Sequence, residues 1–251
     1  MRMSAREVIG IVGIALLCFE GSALGQSIVS SPGINVITYT GNYSAVFSNN
    51  DGSVGAGTYG AVINGTASSS GIICDDYNDE IFSGEQWKAD AYQASSLASG
   101  SVSKTLFGNP VGLTGYAEVA TLVNMMFSGG TTFGNISGVK QAEISSAIWD
   151  ITTSGGIDGL DSNALALVKA VENEYNGNAS AATSYLATMR NLWILTPTAP
   201  EPGRPQEMWV EVPEGGSAVM YLLLAGVFCF GAMFFRHRNQ PVRSETPALL
   251  S

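Results

Sequence analysis

Cys74 heads the densest run of reactive side chains in this 251-residue chain, with Asp75, Asp76, Asn78, Asp79 and Glu80 following it directly. A thiol is a nucleophile, and clustered carboxylates can bind a cation or move a proton. Oxygen donors at this spacing could hold calcium, with Asp75, Asp76, Asp79 and Glu80 as the ligands. The run lacks the regular odd-position donors and the turn glycine of an EF-hand loop, so a solvated acidic loop is the competing reading. A carboxylate-based hydrolase acting on polysaccharide would draw on the same residues. Nothing in the run singles out two of them.

Residue counts exclude more than they suggest. The only histidine is His237, near the C-terminus. Residues 26–195 therefore hold no Ser-His-Asp triad, no Cys-His pair and no histidine-bearing zinc site. Cys18 and Cys229 lie in two apolar terminal runs, which leaves Cys74 alone between them and without an intrachain disulfide partner. Residues 26–195 carry five basic and fourteen acidic side chains, a charge near −9, which argues against a nucleic-acid partner. These counts point away from an enzyme.

The elements that must position Cys74 read as β first and α later. Residues 34–40 are β-branched and alternating, with a turn expected at Gly41-Asn42. Strands are expected at 43–48, 59–63, 71–74 and 85–93, the last with Trp87 inward, and Asn50-Asp51-Gly52 is a turn signal. After Leu113 the period becomes helical. Tyr116, Val119, Ala120, Val123 and Phe127 share one face, closed by Gly129-Gly130. A second helix spans about 138–153, with Ile144, Ala147, Ile148 and Ile151 inward. A third spans 162–175 with Asp161 as N-cap, and a fourth spans 179–189. Residues 192–196 read as a returning strand. The expected fold is α+β: a sandwich- or barrel-like N-terminal half and a small helical subdomain. A Pro-rich linker at 196–216, holding five prolines up to Pro213, would follow.

Two of these segments carry a resemblance. Ile73-Cys74-Asp75 at a strand end and Ile144-Ser145-Ser146-Ala147-Ile148-Trp149 on a helix resemble the thioester domains of bacterial surface adhesins. That resemblance implies an intramolecular Cys–Gln thioester, a masked electrophile that bonds covalently to an amine. It places the glutamine four residues before the tryptophan, where this chain has Ser145, and a hydroxyl cannot supply the acyl group. Gln141 stands one turn earlier on the same face, about 6 Å along the axis. The thioester reading therefore pairs Cys74 with Gln141. The alternative makes Cys74, Ile144, Ile148 and Trp149 plain core.

The ends of the chain read as addresses. Arg2 and Arg6 precede a twelve-residue apolar run at 8–19, and Ala23-Leu24-Gly25 is a small-x-small cleavage pattern. Residues 1–25 are expected to be a secretory signal peptide, handled by the secretion translocon. Near the other end, Val212-Pro213-Glu214-Gly215-Gly216-Ser217 leads into 18 uncharged residues at 218–235, followed by Arg236 and Arg238. Such a run spans about 27 Å as a helix. Residues 217–235 are expected to cross the inner membrane and stop at the arginines, with 236–251 as a cytoplasmic tail. The three-part order resembles the PEP-CTERM sorting signal. That resemblance implies an exosortase-like processing enzyme as partner and an exported surface or matrix protein, in contact with extracellular polysaccharide. Gly215 stands where a second proline is usual.

Overall fold

Alternating burial along the strands shows how this chain folds: Ile37 and Tyr39 are buried while Ile34, Val36 and Thr40 are exposed. The computed structural model describes residues 28–31, 33–50, 52–198 and 205–212. They fall within one compact unit, Ser27–Pro213.

The elements run β1 (Ile34–Asn49), β2 (Gly52–Ile63), β3 (Thr66–Ala67), β4 (Ile72–Cys74), β5 (Gln86–Gln93) and α1 (Ala94–Leu97). A 3₁₀ turn at Ser101–Lys104 leads to α2 (Gly112–Phe127), β6 (Thr132–Phe133), β7 (Ile136–Ser137), α3 (Gln141–Thr152), α4 (Ser162–Tyr175) and α5 (Ala179–Leu186). The chain then returns through β8 (Leu192–Pro197) and β9 (Met208–Glu211). The fold mixes helix with an antiparallel sheet, as the α+β expectation requires. The large sheet has the order β1-β5-β8-β9-β4-β2-β3, and β1 also pairs with β2, so the pairing closes on itself. Six strands make the ring, and two of them come from the far end of the domain. The sheet is therefore not a property of the N-terminal half alone.

Two glycines shape the first hairpin. The turn expected at Gly41-Asn42 is instead an irregularity within the continuous strand β1, where Tyr39 faces Ala61 and Tyr43 faces Tyr59. Further along, Tyr43 faces Tyr59 and Ala45 faces Ala56, so Gly57 and Thr58 together oppose Ser44. Gly57 has φ +79, which makes this a bulge that a β-carbon would strain. Its N–H donates to the Ser145 hydroxyl at 2.8 Å, tying β2 to α3.

The sheet separates two cores. Ile37, Tyr39, Tyr59, Ile63, Ile72, Cys74, Leu195, Met208 and Val210 form the inner one. Ile73, Ile194 and Trp209, one residue out of phase, face the helices with Tyr116, Ile148, Trp149 and Leu167. The helices form as their sequences dictate. Asp161 caps α4 by accepting from the N–H groups of Asn163 and Ala164, both at 2.9 Å. Asn178 does the same for α5. Helix α3 packs against α2, α4, β1 and β2. Every fully buried Leu or Ile in this interface contributes about 1.5–3 kcal/mol.

The linker reading of 196–216 is corrected here. Residues 208–211 are a strand seated between β8 and β4, and Met208, Trp209 and Val210 are fully buried. The short apolar run Met208-Trp209-Val210, buried on both faces of the sheet, overrode the proline-rich composition around it. Among the described residues no helix is long and apolar enough to cross a membrane. The signal segment 1–25, Pro213 to Ser217 of the sorting motif, the apolar run 217–235, and Arg236 and Arg238 lie outside the described residues. Val212 is described; its N–H donates to the Asn191 carbonyl at 2.8 Å.

Candidate functional site

Strand β4 delivers Cys74 to the inner core at the point where its own pairing runs out. Its contact with β2 is the single pair Tyr59–Ile72, whereas its contact with β9 runs on through Ile73–Trp209 and Cys74–Met208. The Cys74 carbonyl, left without a strand neighbour on the β2 side, accepts from the Trp149 indole at 3.1 Å. The Thr152 hydroxyl donates to the next carbonyl, Asp75. Helix α3 thus fixes the backbone of both residues from outside the sheet.

Continuing the register past Met208 brings Glu207 opposite Asp75 and Gln206 opposite Asp76. Alternation then puts Cys74, Asp76 and Gln206 on one face, and Asp75 and Glu207 on the other. The Cys74 thiol lies 3.0 Å from Gln206 Oε1 and 3.0 Å from the Asp76 carbonyl. The Gln206 amide donates to that same carbonyl at 3.2 Å, and the Asp76 N–H points at the sulfur from 3.3 Å. Cys74 is 2 % exposed, and it opens onto a cleft of about 620 Å³ lined by Tyr39, Tyr43, Tyr59, Asp76, Tyr77 and Gln206. The sulfur is enclosed but reachable.

Burial pushes the Cys74 thiol well above its usual range, and the adjacent carboxyls of Asp75 and Asp76 act in the same direction. At neutral pH it is a thiol, not a thiolate. Burial, with help from Asp79, raises Asp76 to about 6, which lets it exchange a proton near neutrality. On the other face, Asp75 and Glu207 are fully buried. Burial raises both carboxyls, and for Asp75 the facing Glu207 adds to the effect.

The structure separates residues that the sequence grouped. Gln141 starts α3 and lies over Gly57, its Oε1 2.9 Å from where a Gly57 β-carbon would stand. Trp149, the α3 residue that meets Cys74, is eight residues on, about 12 Å along the axis. Gln141 is therefore not the partner of Cys74, and Ser145 is spent on Gly57. The acidic run does not converge either. Asp75 turns toward Trp209, whose indole donates to its Oδ2 at 2.7 Å, while Asp76, Asp79 and Glu80 line the cleft. Among the described residues no group of three or more His, Cys, Asp or Glu is arranged to hold a metal ion.

Gln206 and Glu207 were missed because they sit in the segment that reads as a linker. The short apolar, β-favouring run Met208-Trp209-Val210 was the one available signal of a strand there. No family model, curated protein or solved structure matches the chain.

Proposed function

We propose that this chain is an exported surface or matrix protein whose domain joins Cys74 to Gln206 in an intramolecular thioester, and that the thioester bonds covalently to an amine on a partner. The observation that carries the reading is the 3.0 Å contact between the Cys74 sulfur and Gln206 Oε1 at the floor of an open cleft. The glutamine differs from the one the helix motif suggested; the chemistry is the same.

The step balances simply. The sulfur attacks the Gln206 amide carbon, the S–C bond forms, and the C–N bond breaks. Ammonia leaves with the thiol proton. Holding the two groups in contact makes a bimolecular encounter unimolecular, a large effect in itself. The Asp76 carbonyl orients the departing amide nitrogen, and the Asp76 N–H faces the sulfur. An amine entering the cleft then attacks the thioester carbon, an amide forms, and the Cys74 thiol is regenerated. Asp76, raised to about 6, is placed to take the proton that the incoming ammonium must lose. Sorting by an exosortase-like enzyme at Val212–Ser217, and passage through the inner membrane, belong to the same reading and explain how such a domain reaches an extracellular partner.

Intact-mass analysis of the full chain, with and without thiol alkylation, tests this. The expected result is a mass short by one ammonia and no alkylatable Cys74. The deficit disappears in Cys74→Ala and Gln206→Ala but persists in Gln141→Ala. Methylamine should restore the thiol and add its own mass. A full mass with a free Cys74 would leave a non-covalent surface protein in its place.

A further inference from the structure

The residues that directly follow the two reacting side chains, Asp75 after Cys74 and Glu207 after Gln206, are both carboxyls, fully buried and opposed across the sheet. Among the described residues neither has a salt-bridge partner. Burying two uncompensated carboxylates against each other is prohibitive. Their partners settle which one carries charge. Glu207 accepts from the Leu106 N–H at 2.8 Å and from the Tyr116 and Thr196 hydroxyls, all of them donors. It is the carboxylate. Asp75 accepts the Trp209 indole on Oδ2, its Oδ1 receives no donor, and the Glu207 carboxyl is the other hydrogen-bonding neighbour of this side chain. Two facing acceptors need a proton between them, and Asp75 Oδ1 holds it.

The location gives this proton a task. The last regular pair of β4 and β9 is Cys74–Met208. The next backbone rung, Asp75 N–H to Glu207 carbonyl, is stretched to 3.5 Å, beyond ordinary hydrogen-bond length. One residue further stand Asp76 and Gln206. The strands are parting where the reacting pair must be held together.

We propose that Asp75 and Glu207 share a single proton and act as a clasp that closes β4 on the segment before β9 and so sets the Cys74 sulfur against Gln206. These are positioning residues; neither touches the reacting atoms. The inference rests on the thioester reading above for its purpose, but the clasp itself rests on the carboxyl geometry. Raising the pH removes the shared proton, leaves two opposed carboxylates, and lets the strands part. Other titratable groups facing the pair are Tyr116 from α2, Tyr92 from β5, Cys74 from β4 and Asp76 just beyond its end. Burial holds Tyr116 and Tyr92 above the usual phenol range, so they stay neutral through this change.

Two substitutions separate the clasp from plain packing. Asp75→Asn can still accept from Trp209 and donate to Glu207, but it cannot ionise. Asp75→Leu removes the bridge and leaves Glu207 its three donors. The full chain is refolded from denaturant over a range of pH, and the rate of ammonia loss is followed by mass. Wild type should lose crosslinking relative to Asp75→Asn as the pH rises, while the leucine variant, folded by circular dichroism, crosslinks roughly a hundredfold more slowly, the scale set by an ångström of misplacement. A leucine variant that crosslinks at the wild-type rate overturns the clasp. So does an asparagine variant as slow as the leucine one. If the leucine variant fails to fold, the comparison of wild type with Asp75→Asn across pH decides alone, and coincident profiles overturn the proposal. If wild type shows no ammonia loss at all, the thioester reading fails while the clasp is still tested. Cys74 should then alkylate much faster in Asp75→Leu than in wild type or Asp75→Asn, and equal rates would overturn it.

Discussion

At the scale of single residues, the site depends on side chains that finish what the backbone leaves open. Trp149 is the clearest case. Its ring packs edge-on against Phe47 at 5.9 Å between centroids, and its N–H closes the Cys74 carbonyl. The sequence shows a tryptophan at the right helical spacing, and it is indeed core. It does not show that the indole nitrogen has a second task, because that depends on where β4 parts from β2. Trp149→Phe keeps the aromatic body and deletes the donor. The buried carbonyl then goes unpaired, at a cost of about 1–3 kcal/mol. Equilibrium denaturation should show that loss, with the Cys74 thiol or thioester more open to methylamine or iodoacetamide. Unchanged stability and reactivity would mean that the indole N–H does not hold Cys74 in place.

At the scale of elements, helices were far more legible than the sheet. The face of α4 and its Asp161 cap could be read directly, since both depend on neighbours within a turn. The strands around Cys74 were also visible in outline. Their partners were not, because pairing joins residues far apart: Cys74 with Met208, and Gln93 with Trp193. Prolines at 197, 200, 202, 205 and 213 outweighed the four-residue pattern of β9, and Gln206 and Glu207 were lost with it. The mistaken glutamine follows from the same cause. A helix motif is local and searchable, whereas a partner brought in by the last strand has no nearby signature. If 205–212 were a linker, deleting it would leave the fold intact. Here β9 closes the ring and buries Trp209 completely. Its deletion should abolish the cooperative melt, since losing one such aromatic core residue costs about 3–5 kcal/mol by itself. A deletion variant that still melts cooperatively near the wild-type temperature would show the ring to be dispensable.

At the scale of the whole molecule, acidity is the governing property. The net charge is −10, and among the described residues the buried carboxyls of Asp75, Asp76, Glu118 and Glu207 have no ion-pair partner. Burial and facing carboxyls raise Asp75 well above the usual range, burial raises Glu207, burial and Asp79 take Asp76 to about 6, and burial and Glu172 take Glu118 to about 7. In the unfolded chain these groups titrate near their ordinary values of about 4. Between that pH and the folded values of Asp76, Glu118 and the Asp75–Glu207 pair, which holds one proton between its two carboxyls, the folded protein keeps a proton that the unfolded chain has released. Stability therefore falls as pH rises, by up to about 1.4 kcal/mol per pH unit for each such proton. The contribution of Glu118 is complete below its unfolded value and is lost as pH climbs through about 7. That of Asp76 goes earlier, near 6, and that of Asp75 later. The full chain should thus melt higher in mildly acidic buffer than in mildly alkaline buffer, by about 2–4 °C for each kcal/mol in a domain of this size. Glu118→Gln should flatten the slope between about pH 4 and about pH 7 without touching the cleft. Asp75→Asn should flatten the slope from about pH 4 upward, including the alkaline part where Asp76 and Glu118 no longer contribute. General repulsion among surface carboxylates would give a slope of the same sign, but neither single substitution would then alter it much, and salt would suppress it in wild type and variants alike. A slope that survives high salt and yields to these two changes identifies the buried protons as its source.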